Sequence, residues 1–236
     1  MGQKVNPKSF RLIIDKDWNS RWITKSLYAH TILADEIIRN AINEKLGRVG
    51  IDKIVIERNA QETKVIIHSS RPGVIIGRSG RGIQDLKKHI EKRFSQSTNF
   101  NLINSQVPAQ EISEIKKKLS SNIKLNIAEI RIQEKSASLI AQDIANQLEK
   151  RMPYRKVIKR TMSKIQGNRS ILGVKIKVAG RLGGVDIARS EKFTYGSIPL
   201  ATLKANINYA CVPAKTTHGV IGIKVWIHIS EEDSKK

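Results

Sequence analysis

Val74-Ile75-Ile76-Gly77-Arg78-Ser79-Gly80-Arg81-Gly82-Ile83 is the stretch on which the reading of this chain turns. A β-branched apolar run meets a Gly-x-x-Gly, arginines stand at Arg78 and Arg81, and an amphipathic segment follows. Two glycines three apart let the backbone bend sharply and come close to another backbone, because no Cβ intervenes. A helix starting just beyond would turn the free N–H groups of its first turn into the same gap. Gly77, Arg78, Ser79, Gly80 and Arg81 therefore make a candidate clamp for a sugar-phosphate backbone, with a tight structural turn as the plain alternative.

The bare pattern decides nothing, because the chain also holds it at Gly47/Gly50, Gly180/Gly183 and Gly219/Gly222. Context selects. Gly47 to Gly50 closes a helical pattern and reads as a C-cap. Gly180-Arg181-Leu182-Gly183-Gly184 lies between two alternating runs and reads as a turn. Gly219 and Gly222 fall inside a strand pattern and read as marks of close packing.

Outward from the loop, the first half of the chain has a definite order. Residues 1–20 carry mixed charge without a period and read as an extended arm that orders on a partner. Ile32, Leu33, Ile37, Ile38, Ala41, Ile42 and Leu46 make a helical stripe that Gly47 ends. Residues 51–58 and 63–69 read as strands joined by a polar turn near Asn59-Ala60-Gln61. After the glycine loop, Ile83, Leu86, Ile90 and Phe94 share one helix face. Residues 97–121 break the rhythm and read as a surface insertion with a solvated Lys116-Lys117-Lys118 run and a short helix near 112–119. Alternation resumes at Ile123, Leu125 and Ile127, a strand expected to run to Ile132.

The second half begins with a helix over about 137–150, with Leu139, Ile140, Ile144 and Leu148 inward. Pro153 then interrupts, and a new helix should begin there. At helical pitch Val157, Ile158, Thr161, Met162 and Ile165 form one face, and Arg155, Lys156, Lys159, Arg160 and Lys164 the other, with Arg151 just upstream. No acid stands within this cationic face, which points to a polyanion rather than to solvent. Lysine and arginine there would meet phosphates and give little base preference. Four strands are expected near 171–179, 185–190, 203–209 and 221–229. Lys175 and Lys177 alternate with Val174, Ile176 and Val178, which puts basic side chains on one sheet face. Two helices on a four-stranded sheet make an α+β domain.

Composition sets the class of partner. Lys and Arg total 43 against 21 Asp and Glu, a formal charge of +22. An excess of that size repels itself unless something anionic neutralises it, with nucleic acid the first candidate and a membrane surface the second. The membrane reading weakens, since no apolar run approaches the length of a span and the first residues carry no apolar leader. One cysteine, Cys211, leaves no internal disulfide and no Cys-rich zinc site, and its strand pattern makes it a small buried hydrophobe. These features suggest an intracellular chain. Trp18, Trp22 and Trp226 are scattered and read as packing residues rather than base stackers. His30, His68, His89, His218 and His228 are dispersed, with no metal-binding spacing and no P-loop. Asp186 and Glu191 read as local ion-pair partners near Arg189. No enzyme, cofactor or metal is expected.

The order helix, strand, strand, glycine loop, helix, strand resembles a type II KH domain. Met1 to Pro7, Arg71 to Gly77, Gln147 to Arg151, Gly180 to Arg189, Pro199 to Tyr209 and Thr216 to Trp226 together resemble the bacterial-type small-subunit ribosomal protein three family over nearly the whole chain. The resemblance implies an N-terminal type II KH domain over 21–133, a C-terminal α+β domain over 134–230 and a tail over 231–236. It implies a structural protein of the small-subunit head, bound to small-subunit rRNA and neighbouring head proteins. It also implies a place at the mRNA entrance tunnel, where Arg155, Lys156 and Lys159, helped by Arg151, hold incoming mRNA and separate its base pairs. Arg181 and Arg189 are further candidate rRNA contacts by that likeness. Lys4, Arg21, Lys175, Lys177 and Lys204 join them on charge. The setting implied is the cytoplasm, on the ribosome and as a single copy, with an organellar ribosome left open. A free-standing KH regulator or RNA chaperone is the second hypothesis, and an RNA-processing enzyme the third. The chain departs from the family in the 97–121 insertion, in a loop with one charge fewer at Arg78-Ser79, and at Pro153.

Overall fold

The computed structural model describes residues 4–24, 27–47, 49–59, 62–96 and 122–230. The 97–121 insertion, the short helix read within it and the 231–236 tail lie outside these residues. The chain divides into two compact units, Asn19–Ile130 and a second made of Met1–Trp18 with Arg131–Lys236.

In the first unit, α1 (Tyr28–Leu46) buries Ala34, Ile38, Ala41 and Ile42, a spacing of four, three and one that keeps them on one stripe. The helix starts four residues before the apolar stripe does, and Ile32 is exposed, because the buried face begins at His30 and Thr31. After the bend β2 (Ile51–Arg58) and β3 (Thr63–Ser69) pair antiparallel over their full expected lengths. In β3 burial alternates strictly, so Val65 and Ile67 face the helices. The apolar run before the glycine loop is a one-turn helix, α2 (Pro72–Ile76), which buries only Ile75. Then α3 (Arg81–Gln96) sets Leu86, Ile90 and Phe94 into the core at intervals of four. Burying each is worth about 1.5–3 kcal/mol. The last strand, β4 (Ile123–Glu129), stops short of Ile132, and it pairs parallel with β3. A two-residue strand β1 (Ser20–Arg21) completes the sheet order β1-β2-β3-β4. Asp35 of α1 accepts from Arg58 Nε and from Trp22 Nε1, both at 2.8 Å, in a buried ion pair.

In the second unit, Ser136 caps α4 (Ala137–Glu149) by accepting from Leu139 N–H at 3.2 Å. Leu139, Ile140, Ile144 and Leu148 are inward as expected. Pro153 is the N-cap of α5 (Tyr154–Gln166) rather than its first helical residue, with its carbonyl accepting from Lys156 and Val157 N–H. Both helices cover one face of an antiparallel sheet, order β6-β5-β8-β7.

Two strands lie elsewhere than expected. The second is β6 (Arg189–Gly196), not 185–190. Val185 and Ile187 suggested a strand, but Arg181 bonds Val185 O and Asp186 and holds this stretch as a turn, with Ile187 81% exposed. The third is β7 (Ile207–Thr216), not 203–209, since Ala205 and Thr202 carbonyls are already taken by a side chain from the N-terminal segment. Pro213 is tolerated because β7 is an edge strand. The other strands, β5 (Ile171–Gly180) and β8 (Gly219–Ile229), match the expectation closely. Gly219 (φ 120°) closes the β7–β8 turn with nothing near where its Cβ would be, and a Cβ on Gly222 would meet only ordinary contact, so neither marks close packing.

Residues 4–18 are not an extended arm. Ser9–Arg11 form a 3-10 turn and Arg11 is fully buried. Its guanidinium donates to the carbonyls of Pro7, Pro199, Leu200, Thr202 and Ala205, at 2.7 to 3.3 Å. A cation surrounded by carbonyls rather than paired with a carboxylate ties the segment to the loop before β7. Asn19 to Arg21 belong to the first unit instead.

Candidate nucleic-acid interface

The glycine loop is built by three different backbone demands. Gly77 sits at φ 69°, ψ −177°, a region open to glycine alone, and its N–H closes α2 on Gly73 O at 3.0 Å. Ser79 is left-handed at φ 55°, and Gly80 follows at φ 75°. Gly80 faces open space, so only its backbone angle requires glycine. Gly82 is the steric one: a Cβ there would stand 2.4 Å from Ile75 O. Sequence reading chose Gly77 and Gly80 and passed over Gly82, because close approach leaves no mark in a spacing pattern.

The result is a projecting corner in which Arg78, Ser79 and Arg81 are all exposed. The N-terminus of α3 opens directly from it with no acid in its first turn. Its orphan N–H groups and positive dipole end favour an anion. Val74 and Ile76, 62% and 38% exposed, leave an apolar flank beside the corner. Backbone amides, two guanidinium groups and an apolar ledge together suit a single strand whose phosphates lie on the loop.

The cationic helix α5 has the expected two faces. Val157, Ile158, Thr161 and Ile165 are buried, and Arg155, Lys156, Lys159, Arg160 and Lys164 are exposed. Acids from other elements reach its ends. Glu191 of β6 accepts from Arg155 Nη2 at 3.0 Å and from Tyr154 Oη at 2.8 Å. The bond to Glu191 raises the Arg155 pKa, and Arg155 in turn holds the Glu191 carboxyl below its ordinary value. Lys164 Nζ is 3.7 Å from Glu134. Arg151 is exposed with φ 61°. Its N–H meets Leu148 O and the next N–H meets Gln147 O, the Schellman ending of α4. That position ordinarily takes glycine.

The remaining candidates divide. Lys4, Arg189 and Lys204 are exposed. Arg21 is 3.6 Å from Glu57. Arg181 is used internally, donating to Val185 O, His218 O and Asp186, so its first task is to hold the Gly183-Gly184 turn. Asp186 therefore pairs with Arg181 rather than Arg189. Lys175 and Lys177 do share the outward face of β5. Facing them are residues that sequence reading missed or misplaced. Lys192 and Lys224 stand opposite Lys177. Cys211 is exposed rather than buried, opposite Lys224 on β7. Trp226 lies on this outer face, 5.3 Å from the Tyr209 ring. Only strand register could have joined them, and β6 and β7 were set too early in the chain. His228 is a hydrogen-bonding residue as read, meeting Ser197 O at 3.0 Å. Among the described residues no group of three or more His, Cys, Asp or Glu could hold a metal. No helix among them is long and apolar enough to cross a membrane.

Known proteins with these features are numerous. A KH-domain family model matches residues 37–135, and one described as Ribosomal protein S3, C-terminal domain, matches 144–227. The small ribosomal subunit protein uS3 of Caldicellulosiruptor saccharolyticus is 44% identical over 229 residues, covering 97% of this chain and 92% of the relative. That of Xanthomonas campestris pv. campestris is 41% identical over 232 residues, covering 98% of this chain and 84% of the relative. With a KH unit followed by an S3 C-terminal unit, and identity at this level from end to end, the chain belongs to the family of small ribosomal subunit protein uS3.

Proposed function

We propose that the chain holds RNA in the head of the small ribosomal subunit and presents α5 to incoming mRNA at the entrance tunnel. The coarser part follows from family membership: it is a structural, non-enzymatic constituent of the small subunit, associated with small-subunit rRNA on the cytoplasmic ribosome. The finer part rests on α5. Its outward face carries Arg155, Lys156, Lys159 and Arg160 within six residues, all exposed, with no acid of its own helix among them. A rigid, one-sided row of cations grips phosphates irrespective of base, which a surface sliding along every message requires. The glycine corner at Gly77 to Arg81, with Lys4, Arg189 and Lys204 as lesser contacts, is the reading for rRNA. Neighbouring head proteins are the remaining partners.

Holding one strand of a duplex while the other is displaced favours unpairing, so α5 should matter most where a message is folded. Replacing Arg155, Lys156 and Lys159 by Ala should slow translation through a stable hairpin while leaving an unstructured message and subunit assembly nearly unchanged. Equal passage through both messages would remove the mRNA role.

A further inference from the structure

The outward face of the second sheet is crossed by a line of lysines that the α5 reading does not use. Lys177 of β5 stands directly opposite Lys192 of β6 and Lys224 of β8. Three ammonium groups thus lie in one row on three adjacent strands, which are spaced about 4.8 Å apart. Like charges placed directly opposite one another destabilise a sheet, and this row contains two such pairs. Among the described residues, no Asp or Glu occupies an outward register position on these strands, since Glu191 points to the helix face.

One row along, Lys175 stands opposite Trp226, and Trp226 opposite Tyr209. The Lys175 ammonium lies 5.3 Å from the Trp226 ring centroid, and the two aromatic rings are 5.3 Å apart. Burial lowers the Lys175 pKa, and Lys4, Lys192 and Lys177 push it the same way. The row also begins where α5 ends its reach: Lys159, Met162 and Ser163 face Lys192, Phe193 and Thr194 across a shallow groove.

We propose that this sheet face is a second RNA-backbone surface, with Lys192, Lys177 and Lys224 meeting consecutive phosphates and the Tyr209–Trp226 ledge supporting a base or ribose beside them. It rests on the ribosomal reading above and adds a surface to it. Charge settles the class of occupant, because four lysines without an outward acid are complementary to a polyanion. Aromatic rings beside the cations favour a nucleic acid over an acidic protein patch, since a base offers a π-face to stack. The row also continues the cationic track of α5 across the groove, so one strand can run from helix to sheet.

Cys211 makes the face directly testable. It is the only cysteine in the chain, it is exposed, and it stands opposite Lys224. An iron–EDTA probe tethered there on the full chain, assembled into small subunits, should cut rRNA at a discrete site on generating hydroxyl radicals. Cutting confined to a neighbouring protein, or no cutting of RNA, would overturn the proposal. In parallel, the triple variant Lys177→Gln, Lys192→Gln, Lys224→Gln removes both like-charge pairs within the sheet and so should fold. Its affinity for small-subunit rRNA should fall, and the slope of log affinity against log salt should become shallower by about two to three. An unchanged slope would also overturn it. The Arg78→Ala, Arg81→Ala variant of the glycine corner separates the two readings. If it weakens rRNA binding while the sheet variant does not, only the sheet proposal falls; if neither does, the reading of the glycine corner as an rRNA surface falls with it.

Discussion

The two sheets of this protein treat the same kind of charge in opposite ways. Across the first runs the row Arg21, Glu57, Lys64, Lys124, with Glu57 in register between Arg21 and Lys64, 3.6 Å and 3.9 Å away, and Glu62 pairing with Lys124. Across the second runs Lys192, Lys177, Lys224, with no acid between them. Every cation of the first row meets a carboxylate of the fold itself. The second is left for something outside the chain. A formal charge of +22 is therefore not spread evenly as a solubility device. It is balanced where the protein must hold itself together and concentrated on α5 and on the outer face of its sheet. Arg155 stands at the boundary, since Glu191 orients its guanidinium while leaving it exposed.

The comparison is broken most forcefully at the buried end of the self-neutralised set. Asp35→Ala removes the carboxylate that a buried Arg58 and Trp22 share, and unfolding in urea should show a loss of about 3–5 kcal/mol. A loss under about 1 kcal/mol would mean that internal pairing is not what holds this unit. A smaller effect of opposite sign is expected at Arg151, whose left-handed backbone costs roughly 1–2 kcal/mol for a side chain. Arg151→Gly should raise the unfolding midpoint and lower RNA affinity, which would expose strain tolerated for the sake of a cation. A midpoint unchanged or lower would place the benefit of Arg151 in the fold. The smallest effect sharpens the two rows directly. Lys177→Glu should stabilise the second sheet by about 0.2–1 kcal/mol per relieved pair, whereas Arg21→Glu, setting two acids opposite each other at Glu57, should destabilise the first by a similar amount. Shifts of the same sign in both would erase the distinction.

Most of this architecture is legible in the residues, and the exceptions share a cause. Helices α3 and α5 are readable because their apolar residues recur every three or four positions with cations opposite. Strands β2 and β3 are readable because turn residues bound them on both sides. Strand β6 is not, because as an edge strand it exposes nearly every residue and carries little apolar pattern. The start of β7 is hidden for a non-local reason: Arg11, nearly two hundred residues away, occupies the carbonyls of the preceding loop. The site follows the same rule. The glycine corner and the face of α5 are each contiguous in sequence and could be named from it. Lys192, Lys224, Trp226 and Tyr209 meet Lys175 and Lys177 only through strand register. Glu191 and Glu134 reach α5 only through tertiary packing.

The central claim is that the exposed cations are matched to ribosomal RNA, and its most direct test is the salt dependence of binding by the full chain to small-subunit rRNA. Each phosphate neutralised contributes about −0.7 to −0.9 to the slope of log affinity against log salt. The account requires a steep negative slope that becomes shallower by about one to two when Arg78 and Arg81 of the glycine corner are replaced by Ala. A flat response, or a steep one that these replacements leave untouched, would contradict it.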